Sequence, residues 1–262
     1  MKRSILQASV VLALAGSAIG QDLGSPTAES TTQVTRDPQA VALLMQCAAV
    51  MGAANVLDTY AEGSVTRADG REPPGALIAR SKGTDRMRVD FAAQDCQQTS
   101  SVSRGAGYDV RDGKRERAPL HSTRYQRPEH VPALACVIDV ARPNIRIFYE
   151  GVEQDRTGTF YHVKFVAVPR SEKTRWVDEV TSEFHVFLDA QTLVVAKTRT
   201  FVFAPDAIEN RSTWEVRYSD YRMVNGVLMP FRLERFDNDQ KLDEVVFSNV
   251  RVNVGIADSD FQ

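Results

Sequence analysis

The second half of the chain, residues 144–253, contains seven segments with the residue patterns of β-strands, separated by short turns. The segments are Asn144–Gly151, Phe160–Val168, Glu183–Asp189, Leu193–Phe203, Thr213–Val224, Val227–Phe236 and Leu242–Asn253. The clearest turn is Asn225-Gly226, a pair that favours the two-residue turn of a β-hairpin. Strands joined by such short turns pair antiparallel, and the sequence has no regular alternation of strands with helices. A long antiparallel sheet is therefore the main constraint on the fold.

The first half of the chain adds shorter strand-like segments, at 60–66, 76–82, 86–92, 99–104 and 108–111. In the third of these, Met87, Val89 and Phe91 alternate with charged residues, which is typical of a strand with one face towards water. The total is about a dozen strands. Residues 114–128 are basic and irregular, and we predict a solvated loop there.

Two segments have the 3.6-residue rhythm of amphipathic helices. The first begins at Asp37-Pro38, a capping residue followed by a proline in the first turn, and ends at Gly52. Its predicted apolar stripe consists of Val41, Leu44, Met45, Ala48 and Met51. The second helix is predicted over His130–Ala141, and a further helical turn over Arg175–Val180. The apolar side of the second helix carries Val131, Leu134, Ala135 and Ile138.

The number of strands and the two helices together predict the fold class. A sheet of about a dozen antiparallel strands curls or closes instead of staying flat. Helices with one apolar stripe need a surface to cover, and the hollow side of a curled sheet provides it. We therefore predict an α+β fold in which a large curved antiparallel sheet, an open or half β-barrel, has two or more helices covering its concave face.

The N-terminus has the features of a secretory signal peptide. Lys2 and Arg3 precede an apolar run at Val10–Ile19, which is shorter than the ~20 residues that span a membrane. Cleavage is expected near Gly20/Gln21, which makes the mature chain exported, periplasmic and without a transmembrane span. The predicted division is a signal peptide over 1–20, a flexible Ser/Thr-rich linker over 21–36 and a single domain over 37–262.

Charge and motifs exclude several classes of function. The net charge of -2 gives no electrostatic basis for binding nucleic acid. The sequence has no nucleophile elbow, phosphate-binding loop or HExxH motif, so we predict no catalytic residue, no metal and no cofactor. His162 and His185 lie in separate predicted strands where they can be neighbours, and a polar-face pair is favoured over a pair of metal ligands.

The three cysteines are Cys47, Cys96 and Cys136. An oxidising compartment permits one disulfide with one thiol left over, in any of three pairings. All three residues can equally be small buried hydrophobic residues. Their spacing fits no metal-binding motif.

Three stretches near the C-terminus carry a family resemblance. Phe184–Lys197 (FHVFLDAQTLVVAK) is a strand, an Asp-containing turn and a strand. Val216–Phe236 contains Tyr-x-Asp-Tyr, then Asn-Gly, then an apolar run with proline, and Ser248–Phe261 ends a last strand in an Asp-x-x-Phe tail. The layout from Asp37 onwards resembles the LolA/LolB-like superfamily of periplasmic outer-membrane lipoprotein carriers and receptors. This resemblance implies that the concave face and the helices enclose a hydrophobic cavity that takes up acyl chains.

The leading functional interpretation is a non-enzymatic, monomeric protein that binds a lipid or an acylated lipoprotein. The candidate cavity residues lie on predicted strands and are apolar: Met87, Val89, Phe91, Ile145, Ile147, Trp214, Val216, Met229, Phe231 and Leu233. The candidate lid residues lie on the two predicted helices: Leu44, Met45, Leu134 and Ile138. In a second interpretation the same residues form a closed, dry core, and an envelope protein docks on a sheet edge or apolar patch. A third interpretation is a hydrolase of unrecognised geometry.

Overall fold

The computed structural model describes residues 34–70, 73–94, 96–118, 123, 126–204 and 207–262, without the side chains of 204 and 207–209. The predicted signal peptide and most of the predicted linker lie outside these ranges. The helices are α1 (Pro38–Met51), α2 (Ala135–Ala141) and α3 (Arg175–Ser182). The strands are β1 (Asp58–Arg67), β2 (Gly75–Lys82), β3 (Arg86–Ala93), β4 (Cys96–Ser103), β5 (Ala106–Arg111), β6 (Lys114–Arg117), β7 (Ile145–Asp155), β8 (Gly158–Ala167), β9 (Phe184–Asp189), β10 (Val195–Ala204), β11 (Ala207–Val224), β12 (Val227–Asp237) and β13 (Gln240–Val252).

All 13 strands of the described residues belong to one sheet, in the order β6-β5-β4-β3-β2-β1-β13-β12-β11-β10-β9-β8-β7. Every neighbouring pair is antiparallel. The sheet is curved and open, because β6 and β7 end it without pairing with each other. Helices α1 and α2 pack against each other and share one buried core with the concave face. The predicted curved antiparallel half-barrel with helices on its concave face is confirmed.

Helix α1 begins and ends where the sequence predicts. The Asp37 carboxylate accepts hydrogen bonds from the backbone N–H groups of Gln39 (2.8 Å) and Ala40 (3.2 Å), which satisfies two donors of the first turn. Gly52 ends the helix in the left-handed conformation with φ 70°. The buried stripe differs from the predicted one, because Met45 is 52% exposed. The residues that α1 buries are Ala40, Leu44, Cys47, Ala48 and Met51.

The last two residues of the predicted linker, Thr35 and Arg36, contact the sheet and α2. The Ile147 N–H of β7 donates to the Thr35 carbonyl (3.0 Å). The Arg36 guanidinium donates to the carbonyl of Val140 (2.8 Å) and to that of Arg142, at the end of α2. These bonds fasten the start of the domain to the β7 edge of the sheet and to α2.

Three predicted elements differ in the structure. Lys114–Arg117, predicted as loop, forms the edge strand β6, since Asp112 and Gly113 take positive φ and turn the chain back onto β5. Its four exposed charged residues are typical of a protected sheet edge. The predicted helix over 130–141 starts as a 3-10 turn at Pro132–Leu134 and becomes α-helical at Ala135. The predicted turn over 175–180 is the longer helix α3.

The Asn225-Gly226 hairpin fixes the register of β11 against β12, with Val224 opposite Val227. The turn also seats α1, because a Cβ added to Gly52 would lie 2.1 Å from the Gly226 carbonyl oxygen. Only a glycine allows the end of α1 to approach the hairpin this closely. The sequence motif that sets a strand register therefore also positions the first helix.

We expect Gly52→Ala to destabilise the protein more than Gly70→Ala. Both residues have positive φ, which costs about 1 kcal/mol in each variant. Only Gly52 faces a backbone atom, whereas a Cβ on Gly70 meets nothing within 4 Å. The forced shift of α1 should add about 2 kcal/mol. Equal free energies of unfolding for the two variants, measured by chemical denaturation, would contradict the close approach of α1 to the hairpin.

Candidate functional site

A cavity of about 400 Å³ lies on the concave face, beside the region that α1 and α2 cover. Strands β1 to β4, β12 and β13 form its bed, and residues 126–130, here called the wall segment, form its side. Exposed Arg67 and Pro73 lie at its mouth. The volume falls within the ~300–1,000 Å³ of small-molecule sites.

Strand alternation makes the bed apolar. Successive side chains of a strand point to opposite faces, so residues two positions apart share a face. On β3 this rule directs Met87, Val89 and Phe91 into the cavity. The neighbouring strands contribute further apolar side chains by the same rule: Val65, Leu77, Leu233, Val245 and Phe247.

The wall segment ends in a buried histidine. His130 is 4% exposed, and its Nε2 lies 2.8 Å from the Thr59 hydroxyl, which lies 2.7 Å from the Ser81 hydroxyl. Burial lowers the pKa of His130 to about 3. The imidazole is therefore neutral at physiological pH, which suits the lining of a largely apolar cavity.

The same side of the cavity carries charged groups arranged in pairs. Arg235 donates two hydrogen bonds to the Asp243 carboxylate, at 2.7 and 2.8 Å. The Glu129 carboxylate accepts a hydrogen bond from the Trp214 indole (2.8 Å) and lies 4.0 Å from the Arg235 guanidinium. These contacts neutralise most of the charge at this end and tie the wall segment to β11 and β12.

Arg127 joins the wall segment to the rest of the domain. Its guanidinium pairs with Asp139 of α2 at 2.6 Å and stacks over the Phe184 ring of β9 at 3.8 Å. Asp139 is fully buried and also pairs with Arg142 at 3.2 Å. A buried carboxylate needs such partners, because an unpaired charge in the interior is costly. The position of the wall segment is thus coupled to that of α2.

No family model matches the sequence, and no curated protein is similar enough to count as a relative. Solved structures do match. A DUF1329 family protein from Desulfovibrio piger aligns with a TM-score of 0.56 and 14% identity, covering 86% of this chain and 96% of that one. A LolA superfamily protein from Nitrosomonas europaea aligns with a TM-score of 0.53 and 12% identity, covering 85% and 97%. The chain has a LolA-like fold.

A third match is a proposed outer-membrane lipoprotein-sorting protein domain from Vibrio parahaemolyticus, with a TM-score of 0.55 and 11% identity. The alignment covers 86% of this chain and 96% of that domain. At identities this low, the three likenesses establish the fold alone. They agree with the resemblance that the C-terminal hairpins carry.

Within this LolA-like fold, the ten predicted cavity residues divide into two groups. Met87, Val89, Phe91 and Leu233 line the cavity. The others belong to or pack on the core beside it: Ile145, Ile147, Trp214, Val216, Met229 and Phe231. Trp214 is only partly buried and reaches the cavity side through its hydrogen bond to Glu129.

The four predicted lid residues also divide. Leu44, Leu134 and Ile138 are at most 3% exposed and belong to the shared core of the helices and sheet, whereas Met45 points to solvent. Neither α1 nor α2 contributes a side chain to the cavity lining. The element that borders the cavity is the wall segment, which precedes α2.

Sequence reasoning missed the polar half of the site. A signal was present, because Arg235 and Asp243 stand two positions from Leu233 and Val245 and so share their face. A charged residue on an otherwise apolar strand face indicates a specific partner. Glu129 and His130 gave no comparable signal, since their roles depend on contacts with strands distant in the sequence.

The histidine pair lies on the opposite face of the sheet. His162 Nε2 is 2.8 Å from His185 Nδ1, so the predicted neighbours do meet. Burial, followed by the charge of His185, lowers the pKa of His162 to about 4. Within the described ranges, no group of three or more His, Cys, Asp or Glu side chains is placed to hold a metal ion. Nor does any helix of those ranges have the length and apolarity needed to cross a membrane.

Because His130 is buried and neutral, we predict that acidification lowers the free energy of unfolding. The unfolded chain protonates His130 near pH 6.5, whereas the folded chain does so near pH 3, so the unfolded state binds more protons between these values. The free energy of unfolding therefore falls as the pH drops below about 6.5, by about 2 kcal/mol from His130 alone at about pH 5. Denaturant unfolding at about pH 7.5 and about pH 5 measures this loss.

His130→Gln is the matched variant, since its amide can still hydrogen-bond to Thr59. We expect the variant to lose about 2 kcal/mol less than the unmodified protein over the same pH interval. The remaining loss should come from His162, whose pKa is also lowered. An equal loss in both proteins would show that His130 is not the buried neutral group described above.

Proposed function

We propose that the protein is an exported, non-enzymatic carrier that binds a lipid or an acylated lipoprotein, with an acyl chain in the cavity. The observation that carries the proposal is the cavity itself: a LolA-like concave face whose apolar strands stay accessible beside the helices. Of the residues that the sequence suggested, Met87, Val89, Phe91 and Leu233 would contact the acyl chain. Trp214 would act at the rim, by holding Glu129.

The size of the cavity suits a single chain. Its 400 Å³ stands near the lower end of the range for small-molecule sites. Each buried CH₂ group contributes about 0.8 kcal/mol, so one acyl chain supplies ample affinity even after the losses of freedom on binding. Release then needs a competing acceptor or a movement that opens the cavity.

We assign that movement to the wall segment. The core residues Leu44, Leu134 and Ile138 hold α1 and α2 on the sheet, so opening at the helices would expose a packed interior. At Glu129 the wall segment is held by a partly buried hydrogen bond from Trp214, which exchanges for water more readily than the core opens. The segment would pivot about Arg127, because its pairing with the buried Asp139 is costly to break. The polar part of the ligand would lie on this side, near His130 and Arg235.

Two findings support the carrier interpretation over an enzyme. The charged groups at the cavity are engaged with each other, as in the Arg235–Asp243 and Arg127–Asp139 pairs. The name of the Vibrio parahaemolyticus domain refers to lipoprotein sorting, and that of the Nitrosomonas europaea protein to the LolA superfamily. The predicted signal peptide and periplasmic location belong to the same proposal.

Organic extraction of the purified protein, followed by mass spectrometry, tests the proposal directly. We expect bound lipid in the extract, and displacement of a fluorescent fatty acid by long-chain fatty acids or lysophospholipid. An empty extract together with no binding of the fluorescent fatty acid would overturn the proposal. Turnover of a panel of generic esters would instead favour a hydrolase.

Val89→Asp should lower the affinity for the fluorescent fatty acid at least tenfold, because it adds a charge to the apolar bed. Val246→Asp is the control: it lies on β13 next to Val245, but its side chain is 39% exposed on the other face. Both variants should keep the circular dichroism spectrum of the unmodified protein. Equal affinities for the two folded variants would contradict ligand binding at this cavity.

Ala79→Phe tests ligand binding at the same cavity without adding a charge. Ala79 lines the cavity on β2, opposite Val89 of β3. A phenyl ring there should fill the space, raise or preserve the thermal midpoint, and reduce fatty acid binding. Unchanged binding in a folded Ala79→Phe protein would place the ligand elsewhere.

One observation favours the second candidate function, docking of an envelope protein at the sheet edge. β7 already accepts backbone pairing from residues 35–37 at Ile147, and beyond it Val152 is 60% exposed. An extended partner segment adds to such an edge by strand pairing. A pull-down tests this candidate. A stoichiometric protein partner that binds the unmodified protein and the Val89→Asp variant, but not the Val152→Lys variant, would support it.

A further inference from the structure

Two of the three cysteines meet at the contact between α1 and α2. Cys47 lies on α1 and Cys136 on α2, 89 positions apart in the sequence, and neither side chain is exposed. Their sulfur atoms are 2.7 Å apart. Both residues belong to the core that the helices form with the concave face.

The third cysteine is placed differently. Cys96 opens β4, where it pairs with Ala93 of β3 and is only partly buried. Helix α1 packs on β7 and β12. In the sheet, β4 is separated from β12 by four strands and is still further from β7. Of the three pairings that the sequence leaves open, only Cys47 with Cys136 brings two thiols into contact in the folded chain.

We infer that Cys47 and Cys136 form a disulfide when the chain folds in the presence of a low-molecular-weight disulfide, and that this bond fastens α2 to α1. One cysteine thiolate attacks the small disulfide, forms a mixed disulfide and releases one small thiol. The second cysteine thiolate then attacks the protein sulfur of the mixed disulfide and releases the other. The two cysteines are oxidised by two electrons, the small disulfide is reduced to two thiols, and the two protons pass to those thiols.

The burial of Cys47 and Cys136 determines the stage of folding at which the disulfide forms. The apolar surroundings, and the contact with Cys47, raise the pKa of the Cys136 thiol, which disfavours the reactive thiolate in the folded protein. The bond therefore forms while the helices are assembling, and once formed it is shielded from small reductants. A link inside the core restrains the chain from 47 to 136, which includes β1 to β4 of the cavity bed and the wall segment.

Refolding tests the inference. The reduced, denatured full-length chain is refolded in a mixture of oxidised and reduced glutathione, quenched with an alkylating reagent under denaturing conditions, and digested with trypsin. Mass spectrometry should show one linked pair of peptides, containing Cys47 and Cys136, and an alkylated Cys96 peptide. Three alkylated thiols, or a predominant linked peptide that contains Cys96, would overturn the inference. The readout does not depend on ligand binding, so it can fail or succeed independently of the carrier proposal.

Thermal unfolding provides the second measurement. The oxidised protein should unfold about 5–15 °C higher than the same protein after denaturation and refolding with excess reductant, because the bond restricts the unfolded chain. Cys96→Ala should keep this difference, and the double variant Cys47→Ala, Cys136→Ala should lose it. Each variant is compared with itself in the two redox states, so a general loss of stability does not obscure the result. No redox difference in the unmodified protein, or its loss in Cys96→Ala, would contradict the assigned bond.

Discussion

The pairing of β1 with β13 is the contact on which the rest of the molecule depends. These strands come from opposite ends of the described chain. Their pairing joins the strands of the first half of the chain, β1 to β6, to those of the second half, β7 to β13, in one sheet. A register shift at Glu62/Gly63 bends β1 where it passes β13. A Cβ on Gly63 would lie 2.1 Å from the Val246 carbonyl oxygen, so the bend needs a glycine. Without this pairing, β1 to β4 would not form one continuous surface with β13 and β12, and the cavity would have no bed.

The size of the helices explains why one part of the concave face is packed and another is hollow. Thirteen strands spaced about 4.8 Å apart form a sheet about 60 Å wide along its curve. Helix α1, with 14 residues, is about 21 Å long, and α2, with 7, is about 10 Å long. The two helices can cover only the half of the face near β7 and β12. Over β1 to β4, the wall segment is the part of the described chain that lines the side of the cavity, and space for a ligand remains there.

The sequence predicted the elements whose signals are local. Alternation identified the strands, Asn225-Gly226 fixed the register of a hairpin, and Asp37 and Gly52 marked the ends of α1. β6 escaped prediction because its four residues are charged, and only the turn before it and the pairing with β5 make it a strand. A charged edge strand lacks the alternation of apolar and polar residues by which the other strands were predicted.

The location of the cavity could not be predicted from the sequence, for a different reason. Apolar residues on β3 and on β7 look alike in the sequence, since both alternate with polar ones. Whether Phe91 faces a cavity, or Ile147 faces α1, depends on which strands the helices reach. That is decided by the long-range order of the sheet. The contact of Cys47 with Cys136 depends on the packing of two helices that the sequence could place only separately.

The wall segment sets the polarity of the cavity as well as closing one side of it. An unpaired charge beside an apolar bed would cost several kcal/mol, and the structure avoids this cost in two ways. Arg127 and Arg235 have carboxylate partners within 2.7 Å, and His130 is kept neutral by burial. A ligand can therefore meet hydrogen-bonding groups at this end without having to match a bare charge. Because Arg127 takes its partner from α2, any movement of the wall segment that admits a ligand must break or carry with it the contact to Asp139.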